Sequence, residues 1–438
     1  MKKFIWILLI VCLVLGCIIF FVSKNGSGSI VEPVSLYDPE NVSAQSGSNA
    51  SGGADATAQQ GSSAASAASG QEGVSSSAVA GDETIRVSLL DYDKLLALHA
   101  PEDVVGSVDG RPVTWDEYFY WLHNWGTEAE SYIQMLALYG QSLGWNDKLS
   151  SDSDETLADY VLELANDYTR QFNVIEAVAA ENGVTLTPED EEALAAQLQE
   201  TIISACGEGA TEEDFDALLK ENYISRAMYD RVSSSERLVD NTFAALYGER
   251  GEKISDAAAL GYLEDNGYLC ASHILFMTID PDTYEELDAE TVAQKKQQAE
   301  AVYAELLAIE DPEERLQRFA ELKEQYCEDS GKAVYPDGYL FTSGSMVEEF
   351  ENAVLALAAN EISEPVKSFY GYHVILRLPL DADMTMSYAD DGTPMTARST
   401  YAEEQFSAMM TARVEESALT LNGDVAAIKL TDYLRDAE

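Results

Sequence analysis

The sequence predicts an α+β fold: a mostly helical region, then a small module of strands and helices, both preceded by an N-terminal transmembrane helix and a disordered linker. Three observations predict it. Helix-capping signals and helical apolar spacing recur from about residue 114 to 260. Two apolar runs with period two stand at 268–277 and 370–378. Phe4 to Val22 is an uninterrupted apolar stretch.

That first stretch, "FIWILLIVCLVLGCIIFFV", is long enough to cross a bilayer as a helix, and Lys2 and Lys3 before it place the N-terminus inside. Residues 1–23 are therefore expected to anchor the chain in the cell membrane, with its bulk on the extracytoplasmic side. "VLGC", ending at Cys17, also fits a lipoprotein signal, but the apolar "IIFFV" beyond it favours an uncleaved anchor. Residues 24–83 follow as a linker: 28 of the 40 residues from Asn41 to Ala80 are Ser, Ala or Gly, too little apolar surface to offset ordering entropy.

At 438 residues the chain is too long for one ordinary core. A formal charge of -52, from 78 acidic and 26 basic side chains, excludes nucleic acid as a partner on electrostatic grounds. Of five cysteines, Cys206, Cys270 and Cys327 lie beyond the apolar stretch, with no CxxC or His-rich spacing. Neither a structural metal site nor a disulfide scaffold is predicted.

Residues 84–266 read as the helical domain. "VVGSVDGRPVT" predicts two short strands around Asp109 and Gly110. "TWDE" at Thr114 to Glu117 is a capping box opening a helix rich in aromatics, Tyr118 to Trp121, through which copies of the chain could pair as a homodimer. Leu157, Val161, Leu164, Tyr168, Ile175 and Ala179 mark one face of a long helix within 154–182. Thr187-Pro188 and Thr211 with Asp214 start two more.

From Tyr268 the pattern turns to strand, "YLCASHILFM", then helices at about 288–309 and 312–327, a loop from Glu328 to Gly338, a short helix near Met346 to Ala358, and a last strand, "YGYHVILRL". Residues 267–379 form this module, of normal single-domain size. Residues 380–438 hold one more helical segment, Ser399 to Leu419, expected to pack on the first helical domain.

The first strand sets Ala271, His273 and Leu275 on one face. A lone histidine in such a run most often packs in a core. The last strand carries a second, His373, alternating with Gly371 and Ile375, and first and last strands of a small sheet are often neighbours. The two histidines could then face each other.

The ordered motifs "ASHILF", "YCEDSGK", "DGYLFTSGSMVEEFENAVLAL" and "NEISEPVKSFYGYHVILRL" resemble a parvulin-type peptidyl-prolyl cis-trans isomerase across residues 268 to 379. The layout of anchor, helical region, module and terminal helix also resembles the extracytoplasmic foldases of Gram-positive bacteria and related periplasmic chaperones. This resemblance implies a small four-stranded antiparallel sheet flanked by helices, no cofactor and no metal. It implies His273 and His373 as the histidine pair, Asp329 beside the prolyl bond, and Ser368 where the family usually has a threonine bonded to the pair. Met346 and Phe350 match the apolar wall for the proline ring, with Leu275 and Phe341 alongside. The partners implied are unfolded or exported polypeptides containing X-Pro bonds. One departure stands at "YPDGYLF", where the family usually shows two glycines and a leucine and this chain has only Gly338. That departure leaves the wall near Tyr339 and Leu340 open, and keeps a second reading: a non-catalytic holdase that uses the module as a peptide platform.

Overall fold

Local signals set the helices of the first region. The computed structural model describes residues 87–150, 152–389 and 392–436. The expected anchor and linker, residues 1–83, lie outside the described residues, and among those described no helix is long and apolar enough to cross a membrane. Strand β1 (Ser88–Leu90) and the short helix α1 (Tyr92–Leu96) lead to the hairpin of β2 (Val104–Val108) and β3 (Arg111–Thr114). Its turn has φ of 49° at Asp109 and 83° at Gly110, the positive pair that suits a two-residue hairpin.

Helix α2 (Trp115–Leu138) starts on Thr114, whose side chain accepts the Glu117 N–H. The expected capping box closes on that side only. Glu117 is buried and turns inward to Arg231 at 2.8 Å and to Asn173, because it lies on the helix face that packs. Helices α3 (Leu157–Glu181), α4 (Pro188–Cys206) and α5 (Glu212–Glu221) each open on a complete box: Thr156 with Asp159, Thr187 with Asp190, Thr211 with Asp214. Each reciprocal pair satisfies two orphan donors of the first turn and stabilises its helix by about 1 kcal/mol. Helices α6 (Arg226–Ser233), α7 (Ser235–Tyr247) and α8 (Asp256–Asp265) complete the region.

Aromatic burial builds its core. Trp121 packs 5.4 Å from Tyr168 and 5.7 Å from Phe172 of α3, ring centre to ring centre. The whole run Tyr118 to Trp121 is buried in this chain's own core, so it presents no face to a second copy. Pairing of copies through this run, which the sequence left open, has no exposed aromatic surface there to use.

The module contains β4 (Leu269–Met277), α9 (Ala289–Leu307), α10 (Pro312–Tyr326), β5 (Tyr339–Phe341), α11 (Glu348–Ala356), β6 (Val366–Lys367) and β7 (Gly371–Leu378). Its four strands form one antiparallel sheet in the order β5-β4-β7-β6. The two long strands pair from Cys270 opposite Leu378 to Met277 opposite Gly371. One face, with Ile274, Phe276, Val374 and Leu376, packs on Val302 and Leu306 of α9 and on Phe319 and Leu322 of α10. The other, with Ala271, Ile375 and Phe341, lies under Phe350 and Val354 of α11. Both faces of the central strands are thus covered, and each fully buried Ile, Leu or Phe contributes roughly 1.5–3 kcal/mol.

The tail holds more than the single helix expected. Strands β8 (Thr385–Tyr388) and β9 (Pro394–Thr396) pair as a hairpin before α12 (Ala397–Glu416), and β10 (Leu419–Leu421) and β11 (Leu434–Asp436) follow. Strand β10 pairs with β2, β11 pairs with β1, and Phe406 and Met410 of α12 join the first core. The packing back onto the helical region is as the sequence implied; the short strands that complete it were not foreseen.

Candidate active site

Sheet register brings the two histidines together. His273 stands opposite Ile375 and His373 opposite Leu275, so the imidazoles are diagonal neighbours on one face. Their Nδ1 atoms lie 3.0 Å apart. Ser368, just beyond β6, places Oγ 2.6 Å from His373 Nε2, and the Tyr370 N–H donates to that oxygen at 3.1 Å. At the other end Asp329 heads the loop after α10. Its Oδ1 accepts the Gly331 N–H at 2.9 Å, and its Oδ2 lies 2.8 Å from His273 Nε2. The Tyr339 hydroxyl donates to the same Oδ2 at 2.5 Å.

With both rings neutral, one assignment of protons satisfies this row. An ionised Asp329 only accepts, so His273 carries its proton on Nε2 and offers a bare Nδ1. His373 must then donate from Nδ1, which leaves its Nε2 to accept the Ser368 hydroxyl. Both rings are neutral in this arrangement. Burial works against the Asp329 charge, but the bonds from His273, Tyr339 and the Gly331 amide outweigh it and hold the carboxyl far below its usual range. Burial, above all, pushes His373 down to about 3. Burial and the Asp329 charge push the Tyr339 hydroxyl far above its usual value, so it stays a donor.

An apolar wall stands over this polar row. The Phe350 ring meets His273 edge-on at 5.4 Å and His373 at 5.6 Å, and Phe341 lies 6.0 Å from Phe350. Half-buried Met346 packs on the same cluster, though it precedes α11 and is not part of its first turn. Leu275 is buried with Cys327 and Val302 in the cluster of α9 and α10, away from Phe341 and Phe350. Cys327 accepts the Leu275 N–H and Cys270 is buried, its thiol pushed up to about 11 by burial; both read as small apolar core residues.

Gly338 is the glycine that "YPDGYLF" keeps. Its φ is +104°, and a Cβ there would sit 2.9 Å from the Ala271 carbonyl oxygen, so glycine is required where β5 joins β4. Tyr339, beside it, is the site residue that sequence reasoning missed. Its place next to that lone glycine was the only signal.

Residues 273–378 match the family model described as Rotamase, PPIC-type PPIASE domain. Foldase protein PrsA 1 of Bacillus cereus is 53% identical over 58 residues, which are 13% of this chain and 20% of that protein. Foldase protein PrsA 4 of Bacillus cereus is 27% identical over 206 residues, covering 40% of this chain and 71% of that protein. Foldase protein PrsA of Oceanobacillus iheyensis is 31% identical over 176 residues, 40% of this chain and 49% of that protein. The chain thus spans a fifth of the first of these relatives and half of the third. Residues 273–378 are a parvulin-type isomerase domain of the PPIC kind, in a chain similar to the PrsA foldases.

Proposed function

We propose that the chain is a peptidyl-prolyl cis-trans isomerase and foldase that assists exported proteins outside the cytoplasmic membrane. The observation that carries this reading is the unbroken hydrogen-bonded row from Ser368 through His373 and His273 to Asp329, lying beneath an apolar wall. Rotation about an X-Pro bond faces a barrier of about 18–20 kcal/mol because the twisted amide loses resonance. No nucleophile is needed. The site has to bind the twisted amide better than the planar one, and a 10⁵-fold acceleration takes about 7 kcal/mol of that preference. Met346, Phe350 and Phe341 would hold the proline ring and exclude the water that favours the planar dipole. The row, with both rings neutral and Asp329 ionised, would form a fixed polar floor that neither exchanges charge with the substrate nor reorganises during rotation.

The separate cores support setting 267–379 apart from 84–266, while the tail, 380–438, shares the core of the first region. In this reading Phe4 to Val22, or a lipid on Cys17, tethers the chain to the membrane through residues 24–83, and its clients are unfolded or exported polypeptides containing X-Pro bonds.

A coupled prolyl-peptide isomerisation assay on the chain from Thr84 tests this. Turnover should be measurable and reduced by His273→Ala and by Phe350→Ala. Isomerisation at the spontaneous rate with wild-type protein overturns the enzyme reading, and suppression of client aggregation in the same sample would then favour the holdase.

A further inference from the structure

Tyr339 stands on the edge strand β5, where a ring alone would be enough to pack. We propose that Tyr339 is a positioning residue of the isomerase site, whose hydroxyl fixes Asp329 as the acceptor for His273 and thereby sets the tautomers of both imidazoles. For the reaction this rests on the isomerase reading; for the hydrogen bonding it does not.

The geometry around the hydroxyl is built for that bond. Tyr339 OH at 2.5 Å and His273 Nε2 at 2.8 Å converge on one oxygen of Asp329, while the Gly331 amide holds the other. A Cβ on Gly331 would overlap the Tyr339 hydroxyl, so the absence of a side chain there makes its room. Tyr335 braces the outer side, with ring centres 4.9 Å apart, and the Tyr339 ring meets His273 edge-on at 5.7 Å. Gly338, with its positive φ, brings the tyrosine into this position.

The consequence runs along the whole row. A protonated Asp329 would donate to His273 Nε2 and force the His273 proton onto Nδ1. That proton would meet the one on His373 Nδ1, so His373 would have to shift its own to Nε2 and the Ser368 hydroxyl would have to turn away. One protonation at Asp329 therefore reverses the polarity of four side chains. The Tyr339 hydroxyl opposes it by stabilising the carboxylate. The other titratable groups around the row are Cys327 and Lys332 on the loop, Tyr335 before β5, and Lys367 in β6. None of these bonds to Asp329 Oδ2, the oxygen that His273 uses.

The test uses the full chain with ¹⁵N-labelled histidine rings; with only four histidines, His99 and His123 are assigned by substitution. Wild-type protein at pH 7 should show His273 protonated at Nε2 and His373 at Nδ1. In Tyr339→Phe the acid-side transition of these nitrogens should move to higher pH, and kcat/KM for a prolyl peptide should fall about tenfold, mostly in kcat. Tyr339→Phe added to Asp329→Asn should cost little beyond Asp329→Asn alone, since both remove the same bond. A Tyr339→Phe titration that overlays wild type overturns the proposal, as do additive losses in the double variant. Should wild-type protein turn over no peptide, the isomerase reading fails, and the ring-nitrogen titration still decides this one.

Discussion

Ser368→Ala deletes one oxygen on which two groups depend. Ser368 is 4% exposed and His373 3%, so water does not replace what is lost. The hydroxyl donates to His373 Nε2 at 2.6 Å and accepts the Tyr370 amide at 3.1 Å. Leaving a buried acceptor without a donor costs about 1–3 kcal/mol, and the amide, nearer the surface, adds less than about 1 kcal/mol. Moving the His373 proton to Nε2 gives no relief, because two bare Nδ1 atoms would then face each other at 3.0 Å. The module should therefore lose roughly 2–3 kcal/mol, a factor of roughly thirty to a hundred and fifty in its opening equilibrium. All five tryptophans lie outside residues 267–379, so their fluorescence would miss the change. Hydrogen exchange of amides in β4 and β7 reads it directly. Protection there should drop by that factor in Ser368→Ala and survive in Ser368→Thr, which keeps the hydroxyl. Wild-type exchange rates in Ser368→Ala would refute both the buried acceptor and the tautomers built on it.

Phe350→Ala empties a site 3% exposed between Phe341 and both imidazoles; it should destabilise the module by about 3–5 kcal/mol and strongly reduce turnover, with Phe350→Leu intermediate in the coupled assay. His373 is held at about 3 against an ordinary 6.5, so the unfolded chain takes up a proton first as pH falls. The stability from keeping it neutral is complete above pH 6.5 and erodes toward pH 3, by up to about 1.4 kcal/mol per pH unit. Asp329, also depressed, adds a loss of the same sign at lower pH; urea unfolding at pH 7, 5.5 and 4 should show falling stability, with the upper part flattened in His373→Gln. Gly338→Ala, at φ +104°, should loosen β5 from β4 by more than about 1 kcal/mol, seen as faster exchange at Leu340 and Phe341. Arg398 of α12 bonds to Asp256 at 2.6 Å, Asp383 at 2.8 Å and the Ile254 carbonyl, tying both connections of the module to the tail. Arg398→Ala should leave peptide isomerisation unchanged while amides of α8 exchange faster.

Helix starts at Thr187 and Thr211 were legible because a cap is an interaction over three residues, complete within the local sequence. Thr114 shows the limit of that logic: its hydroxyl caps as expected, but Glu117 prefers Arg231, more than a hundred residues away. The long strands β4 and β7 were visible in their period. Strands β8 to β11, of three or four residues, are too short to show one, and β10 and β11 exist because the tail returns to β2 and β1.

The sequence by itself determined which residue types the site would have: two strand histidines, an aspartate, a serine and a phenylalanine wall, in an order that resembles a parvulin. Only the tertiary structure decided how they meet. The two imidazoles are a hundred positions apart and bond because the register sets Leu275 opposite His373 and leaves the rings diagonal. A slip of one residue would put one of them on the other face. Leu275 shares the His273 side by register yet ends in the other cluster, and Tyr339 becomes part of the row through Gly331 and Gly338. A hydrogen bond is fixed to a few tenths of an ångström, and that precision comes from how strands pair and loops close, which no local pattern encodes.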